Sequence, residues 1–143
     1  MRRHLFRLAL AFVVVFALAT SMAMSQARQV VTTNVPFSFD IGALTMPAGT
    51  YVVQLNNPAG TILIRNTTGT TGAFVFVNRL TPREVNKLRP AMVFNKYESH
   101  YFLAKIYGTE GVGCAISKGK LEKELEAKAP TPTQTINIAM EKR

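Results

Sequence analysis

Every second residue from Val31 to Ile41 is apolar or a threonine. Val31, Thr33, Val35, Phe37, Phe39 and Ile41 share one parity, and Thr32, Asn34, Ser38 and Asp40 share the other. Side chains on a strand alternate between its two faces, so this spacing predicts a strand with one buried face. Pro36 falls on the polar parity. It has no N–H to give to a ladder, which predicts an edge strand or a bulge at that point.

The alternation resumes after each of a series of turns. Met46-Pro47-Ala48-Gly49 precedes Thr50–Asn56, where Tyr51, Val53 and Leu55 are expected inward. Asn57-Pro58-Ala59-Gly60 precedes Thr61–Arg65, and the loop Asn66–Gly72 precedes Ala73–Asn78. Ala91–Tyr97 and Tyr101–Tyr107 flank Glu98-Ser99-His100 and read as one hairpin. Pro fixes φ and Gly supplies φ > 0 at such turns, and strands spaced about 8–12 residues apart are the pattern of all-β domains. The prediction is an antiparallel β-sandwich or partly closed barrel of about seven strands, with two short helices.

The helices have their own signals. Thr81-Pro82-Arg83-Glu84 is a capping box with Pro at the first helical position, predicting a helix over 82–88. Lys120–Lys128 places Leu121 and Leu125 on one face and spaces Glu124 and Lys128 for an i,i+4 pair. Nine residues do not hold a helix in isolation, so this one is expected to dock through its leucines. The β domain with this closing helix is thus assigned to 28–128. Residues 129–143 begin as an extended Pro/Thr linker, and Ile136 and Ile138 leave a last short strand and a loose tail both open.

The first 27 residues read as a leader rather than as part of the fold. Arg2, Arg3 and Arg7 precede the apolar run Leu8–Ala19, which suits a secretory signal and is short for a membrane span. Cleavage is expected after Ala27, with Ala23 as the second site; retention as an anchor is the rival reading. Removing Arg2, Arg3 and Arg7 from the 17 basic residues leaves 14 against 8 acidic ones, a net charge of +6. The basic character therefore belongs to the exported domain, in the periplasm or outside the cell. Cys114 has no second cysteine to pair with, and its small apolar neighbours predict a buried, inert thiol.

Several segments occur together in a recognisable order. Val35-Pro36-Phe37-Ser38-Phe39 is followed by Pro47-Ala48-Gly49-Thr50-Tyr51 and Ala73-Phe74-Val75-Phe76. Val93-Phe94-Asn95-Lys96-Tyr97 then leads to Tyr101-Phe102-Leu103-Ala104 and the Lys/Glu-rich helix. Over roughly residues 30–126 the chain resembles a group of small exported bacterial proteins without an assigned activity. The resemblance implies an exported, mostly β domain and brings no catalytic or binding residue. Tyr107 stands where that group commonly has Trp, and Cys114-Ala115-Ile116-Ser117 where it commonly has Arg-Glu-Leu-Pro.

Chemistry has little to work with beyond the leader. One Asp (Asp40), one His (His100) and one Cys remain. A Ser-His-Asp triad would have to use His100 and Asp40, with no G-x-S-x-G elbow to present a nucleophile, and Ser99 adjoins the histidine in a turn. One His makes no usual zinc site, and Gly108, Gly111 and Gly113 are irregularly spaced without the Lys-Ser/Thr ending of a phosphate loop. No catalytic residue, metal ligand or cofactor is assigned.

The expected role is a non-catalytic, envelope-associated or extracellular binding or structural protein. A small secreted hydrolase or carbohydrate-acting enzyme is the alternative. The candidate contact surface is Arg79, Arg83, Lys87 and Arg89, together with the hairpin tip at Tyr97, His100 and Tyr101. Such a surface suits an anionic envelope or extracellular polymer. An export signal disfavours nucleic acid, and self-assembly by strand addition at Val31–Ile41 is a weaker alternative.

Overall fold

The computed structural model describes residues 29–56, 60–81, 89–109 and 111–142. The leader at 1–27, the turn at 57–59 and the helix expected over 82–88 lie outside them. Described are β1 (Gln29–Val35), β2 (Phe39–Ile41), β3 (Leu44–Met46), β4 (Gly49–Asn56), β5 (Thr61–Asn66) and β6 (Gly72–Arg79). Then follow β7 (Ala91–Tyr97), β8 (His100–Tyr107), β9 (Gly113–Ile116), helix α1 (Lys120–Lys128), β10 (Gln134–Ala139) and β11 (Glu141–Lys142).

The fold is all-β, but the described residues form eleven strands in one continuous sheet, not about seven in a sandwich or barrel. The order is β10-β7-β8-β9-β6-β5-β4-β1-β11, with β2 joined to β8 in parallel and to β3 antiparallel. The four extra strands are short or come from splitting. Pro36 ends the β1 ladder at Val35, and the chain resumes pairing only at Phe39. The turn at Gly42, φ +63, then folds β3 back onto β2. Three-residue strands hold too few alternations for a period to be visible. Nor is Val31–Ile41 a sheet edge: β1 pairs with β4 along its whole length and with β11 at Val31 and Thr32. The tail forms β10 and β11, and Met140 alone separates these two ends of the sheet path.

Burial follows parity. Val31, Thr33, Val35, Phe39 and Ile41 are buried, as are Tyr51, Val53 and Leu55. Exposed Pro36 lets the parity run on through the break, so that Phe37 packs against the core. Phe94 is fully buried and meets Phe37 and Phe39 edge-on, with ring centroids 5.3 and 5.1 Å apart. The Tyr51 hydroxyl donates to the Pro47 carbonyl, bracing the turn between β3 and β4. Cys114 is buried, and desolvation pushes its thiol pKa up to about 11, the environment of an inert cysteine.

Helix α1 does not dock through both leucines. Leu125 is buried with Tyr97 and Phe102 in a small cluster apart from the main core, while Leu121 is 41% exposed. The helix is turned so that Glu122, at 3% exposure, faces inward beside Leu125. Lys118 pairs with Glu126, and Glu124 approaches Lys120 at 3.9 Å instead of pairing with Lys128.

Candidate binding groove at the hairpin tip

Three elements enclose a groove of about 550 Å³ at the tip of the β7–β8 hairpin. The β2–β3 hairpin contributes Asp40 and Thr45. The two-residue turn Glu98-Ser99, with Glu98 at a positive φ of 54°, contributes Ser99, and β8 contributes its first residue, His100. The start of α1 contributes Lys120, Leu121 and Glu124. Register explains the meeting of the first two: β2 runs parallel to β8 with Asp40 opposite Phe102, two residues from His100.

The side chains form a loose polar set. Thr45 donates its hydroxyl to Asp40 Oδ1 at 2.6 Å, and Asp40 Oδ2 lies 3.8 Å from His100 Nδ1. That second distance exceeds hydrogen-bond reach, so Asp40 does not hold the imidazole in the manner of a catalytic triad. The His100 side chain is 45% exposed, and its ring stacks beside Phe102 at 6.1 Å. Acidic and basic groups around Phe39 and Leu121 can hydrogen-bond a polar ligand over an apolar floor. Among the described residues, no three His, Cys, Asp or Glu side chains gather to hold a metal ion.

The expected contact surface is divided by the fold. His100 and Tyr101 reach the groove. Tyr97 does not: it is 2% exposed beneath α1, where burial raises its hydroxyl pKa. Phe37 stacks on the Tyr101 ring at 4.1 Å and the Lys96 ammonium lies 5.2 Å from its centroid, which leaves little face for a ligand to stack on. Arg79 pairs in register with Cys114, and Cys114 with Ile106; Arg89 precedes Ala91, which is opposite Tyr107. Both exposed arginines therefore sit at the far end of β8, six residues or about 20 Å from His100. Arg83 and Lys87 lie outside the described residues.

Sequence reading missed Lys120, Leu121 and Glu124, because nothing local marks a helix start as the wall of a groove formed by two distant hairpins. The approach of Asp40 to His100 is likewise a product of the parallel β2–β8 pairing.

Glu122, buried on the inward face of α1, should make the stability of the fold depend on pH. Desolvation raises its pKa, opposed by Lys118 and by a side-chain hydrogen bond from Asn95 and reinforced by Glu126; its Oε1 has no partner. Between the unfolded carboxyl pKa, about 4.3, and the higher folded one, the native state binds more protons than the unfolded state. Stability should fall as pH rises through that window and then level off. In Glu122→Gln this downward step should be lost in urea midpoints measured from acid to neutral pH. A step that persists unchanged would place its origin elsewhere.

Comparison with protein-family models, curated proteins and solved structures gives no match.

Proposed function

We propose that the protein is exported and acts as a non-catalytic, envelope-associated binding protein. Its basic end meets an anionic surface, and its groove takes a polar ligand at the opposite end. The observation that carries this reading is the separation itself: Arg79 and Arg89 lie about 20 Å along β8 from the groove at His100. The +6 charge left after the leader, the leader itself and the resemblance to exported β proteins support it. We also infer that the sheet is partly closed, because β10 and β11 are consecutive and Thr33 Oγ1 of β1 donates to Ala139 O of β10 at 2.9 Å. No helix among the described residues is long and apolar enough to cross a membrane.

All eleven strands and α1 lie between Gln29 and Lys142, so residues 28–143 carry the whole described fold. Incubated with isolated cell envelopes, this protein should co-sediment at low salt and be released at high salt. Arg83→Glu/Lys87→Glu should weaken the association about thirtyfold or more, since two basic residues are lost at about 1 kcal/mol each near an anionic surface and the new carboxylates add repulsion. Protein that stays in the supernatant at both salts would overturn the reading.

One observation favours a hydrolase as second reading: Asp40, His100 and Ser99 share the groove. Turnover of an ester or glycoside that Asp40→Ala and His100→Ala both abolish would select it.

A further inference from the structure

Residues 41–83 contain three arginines and no acidic residue. This stretch forms β4, β5 and β6, and β6 inverts the usual burial of its largest side chains. Ala73 is buried and Val75 and Val77 pack against the core, while Phe74 and Phe76 on the other parity are 65% and 76% exposed. Their rings stand edge to face, centroids 6.4 Å apart. Leu63 of β5 is opposite Phe74 on that outward face, with exposed Arg65 two residues further along the strand.

Next to the rings the sheet is open. β9 pairs only with Val77–Arg79, so among the described residues Gly72–Phe76 is paired by β5 alone. A hollow of about 300 Å³ remains, lined by Phe74, Phe76, Ile116 and the 43% exposed Leu44. The Val77 N–H donates to Gly60 O on the β5 side, so in the alternating ladder the peptide groups of Phe74 and Phe76 face the hollow.

Two adjacent, largely exposed phenylalanines carry an unfavourable hydration cost that marks an interaction surface. Beside them on this face stands the exposed Arg65, so the matching partner is apolar beneath and anionic at its surface. We propose that the outward face of β6 seats on an anionic phospholipid bilayer, with Phe74 and Phe76 entering the headgroup–acyl boundary and Arg65 meeting lipid phosphates. Insertion is shallow, because the open peptide groups beside the rings need water or headgroups as partners and find none in hydrocarbon. The proposal rests on the envelope association above and adds to it a second, apolar contact: Arg65 is opposite Gly72, seven residues along β6 from Arg79, so this face is distinct from the Arg79 and Arg89 end.

The chain contains no Trp, so Phe76→Trp supplies a single fluorescent reporter. Residues 28–143 carrying it are mixed with vesicles of phosphatidylglycerol and phosphatidylcholine in equal parts, and with phosphatidylcholine alone. The anionic vesicles should shift its emission to the blue and brominated acyl chains should quench it; the neutral vesicles should do much less. Phe74→Ser/Phe76→Ser should lower partitioning about tenfold or more while leaving the urea midpoint unchanged, since both side chains are exposed.

Salt-labile binding without any change in the emission of the Phe76→Trp reporter would overturn this inference and leave the electrostatic reading standing. Absence of binding to either vesicle, together with loss of envelope co-sedimentation, would overturn both. A blue shift that grows with protein concentration without lipid, with a doubled mass in sedimentation, would assign the face to a second copy and overturn the bilayer proposal.

Discussion

Alanine at Gly119 is expected to destabilise the protein by about 3 kcal/mol or more, a large share of a domain stability of roughly 5–15 kcal/mol. The backbone there is ordinary, with φ −72° and ψ 175°, so the cost is not conformational. It is steric: a Cβ would lie 2.2 Å from the Gly42 carbonyl oxygen and 2.7 Å from its carbon. Both are backbone atoms, so no side chain can swing aside. Either the start of α1 or the β2–β3 turn must move, and these carry two walls of the groove. Gly119→Ser sharpens the test. Gly119 is the N-cap of α1 without a side-chain cap, where serine commonly stabilises by about 1 kcal/mol. Here serine should destabilise, because its Cβ meets the same oxygen. Gly42→Ala separates the two mechanisms: nothing lies within 4 Å, and the left-handed backbone alone should cost about 1–2 kcal/mol. Urea midpoints measure all three, and a Gly119→Ala midpoint equal to wild type would mean that the helix and turn do not touch.

Phe94→Ala should cost about 3–5 kcal/mol, the usual range for emptying a buried phenylalanine site. The ring is fully buried and edge-packed by Phe37, within the break at Pro36–Ser38, and by Phe39, the first residue after it. Its strand position is opposite Leu103 on β8 and Ile136 on β10, next to the register shift after Val93. The variant would remove one of the contacts that tie the broken first strand to the hairpin, beside the Phe37–Tyr101 stack and the β2–β8 pairing. Phe94→Leu should recover most of the loss, leaving about 1.5 kcal/mol or less. Truncation that costs below about 1 kcal/mol would show the cluster to be peripheral. Phe74→Ala in the same assay should fall within about 0.5 kcal/mol of wild type, since the ring packs outside the core.

Much of the fold is legible in the sequence because alternation is a local property. The inward parity of Val31 to Ile41 and of Tyr51 to Leu55 needs no knowledge of strand partners, and neither does the hairpin from Ala91 to Tyr107. Short elements are lost. β3 and β9 are too brief for a period, and Gly42 and Gly119 show no sign in sequence of their contact. Tyr97 illustrates a different failure. Its position at a hairpin tip suggests exposure, but α1 lies over it and turns a tip residue into core. Glu122 reads as solvated for the converse reason: helical spacing shows which residues share a face, not which face turns inward.

The sequence alone determined the all-β class, the parity of the core and the basic balance of charge, because each depends on residue type and spacing along the chain. Only the tertiary structure decided where function could sit. It carried Asp40 beside His100, separated that pair from Arg79 and Arg89 by the length of β8, and left Phe74 and Phe76 outside. These are relations between residues distant in sequence, set by which strands pair and in what register, and no local pattern encodes them.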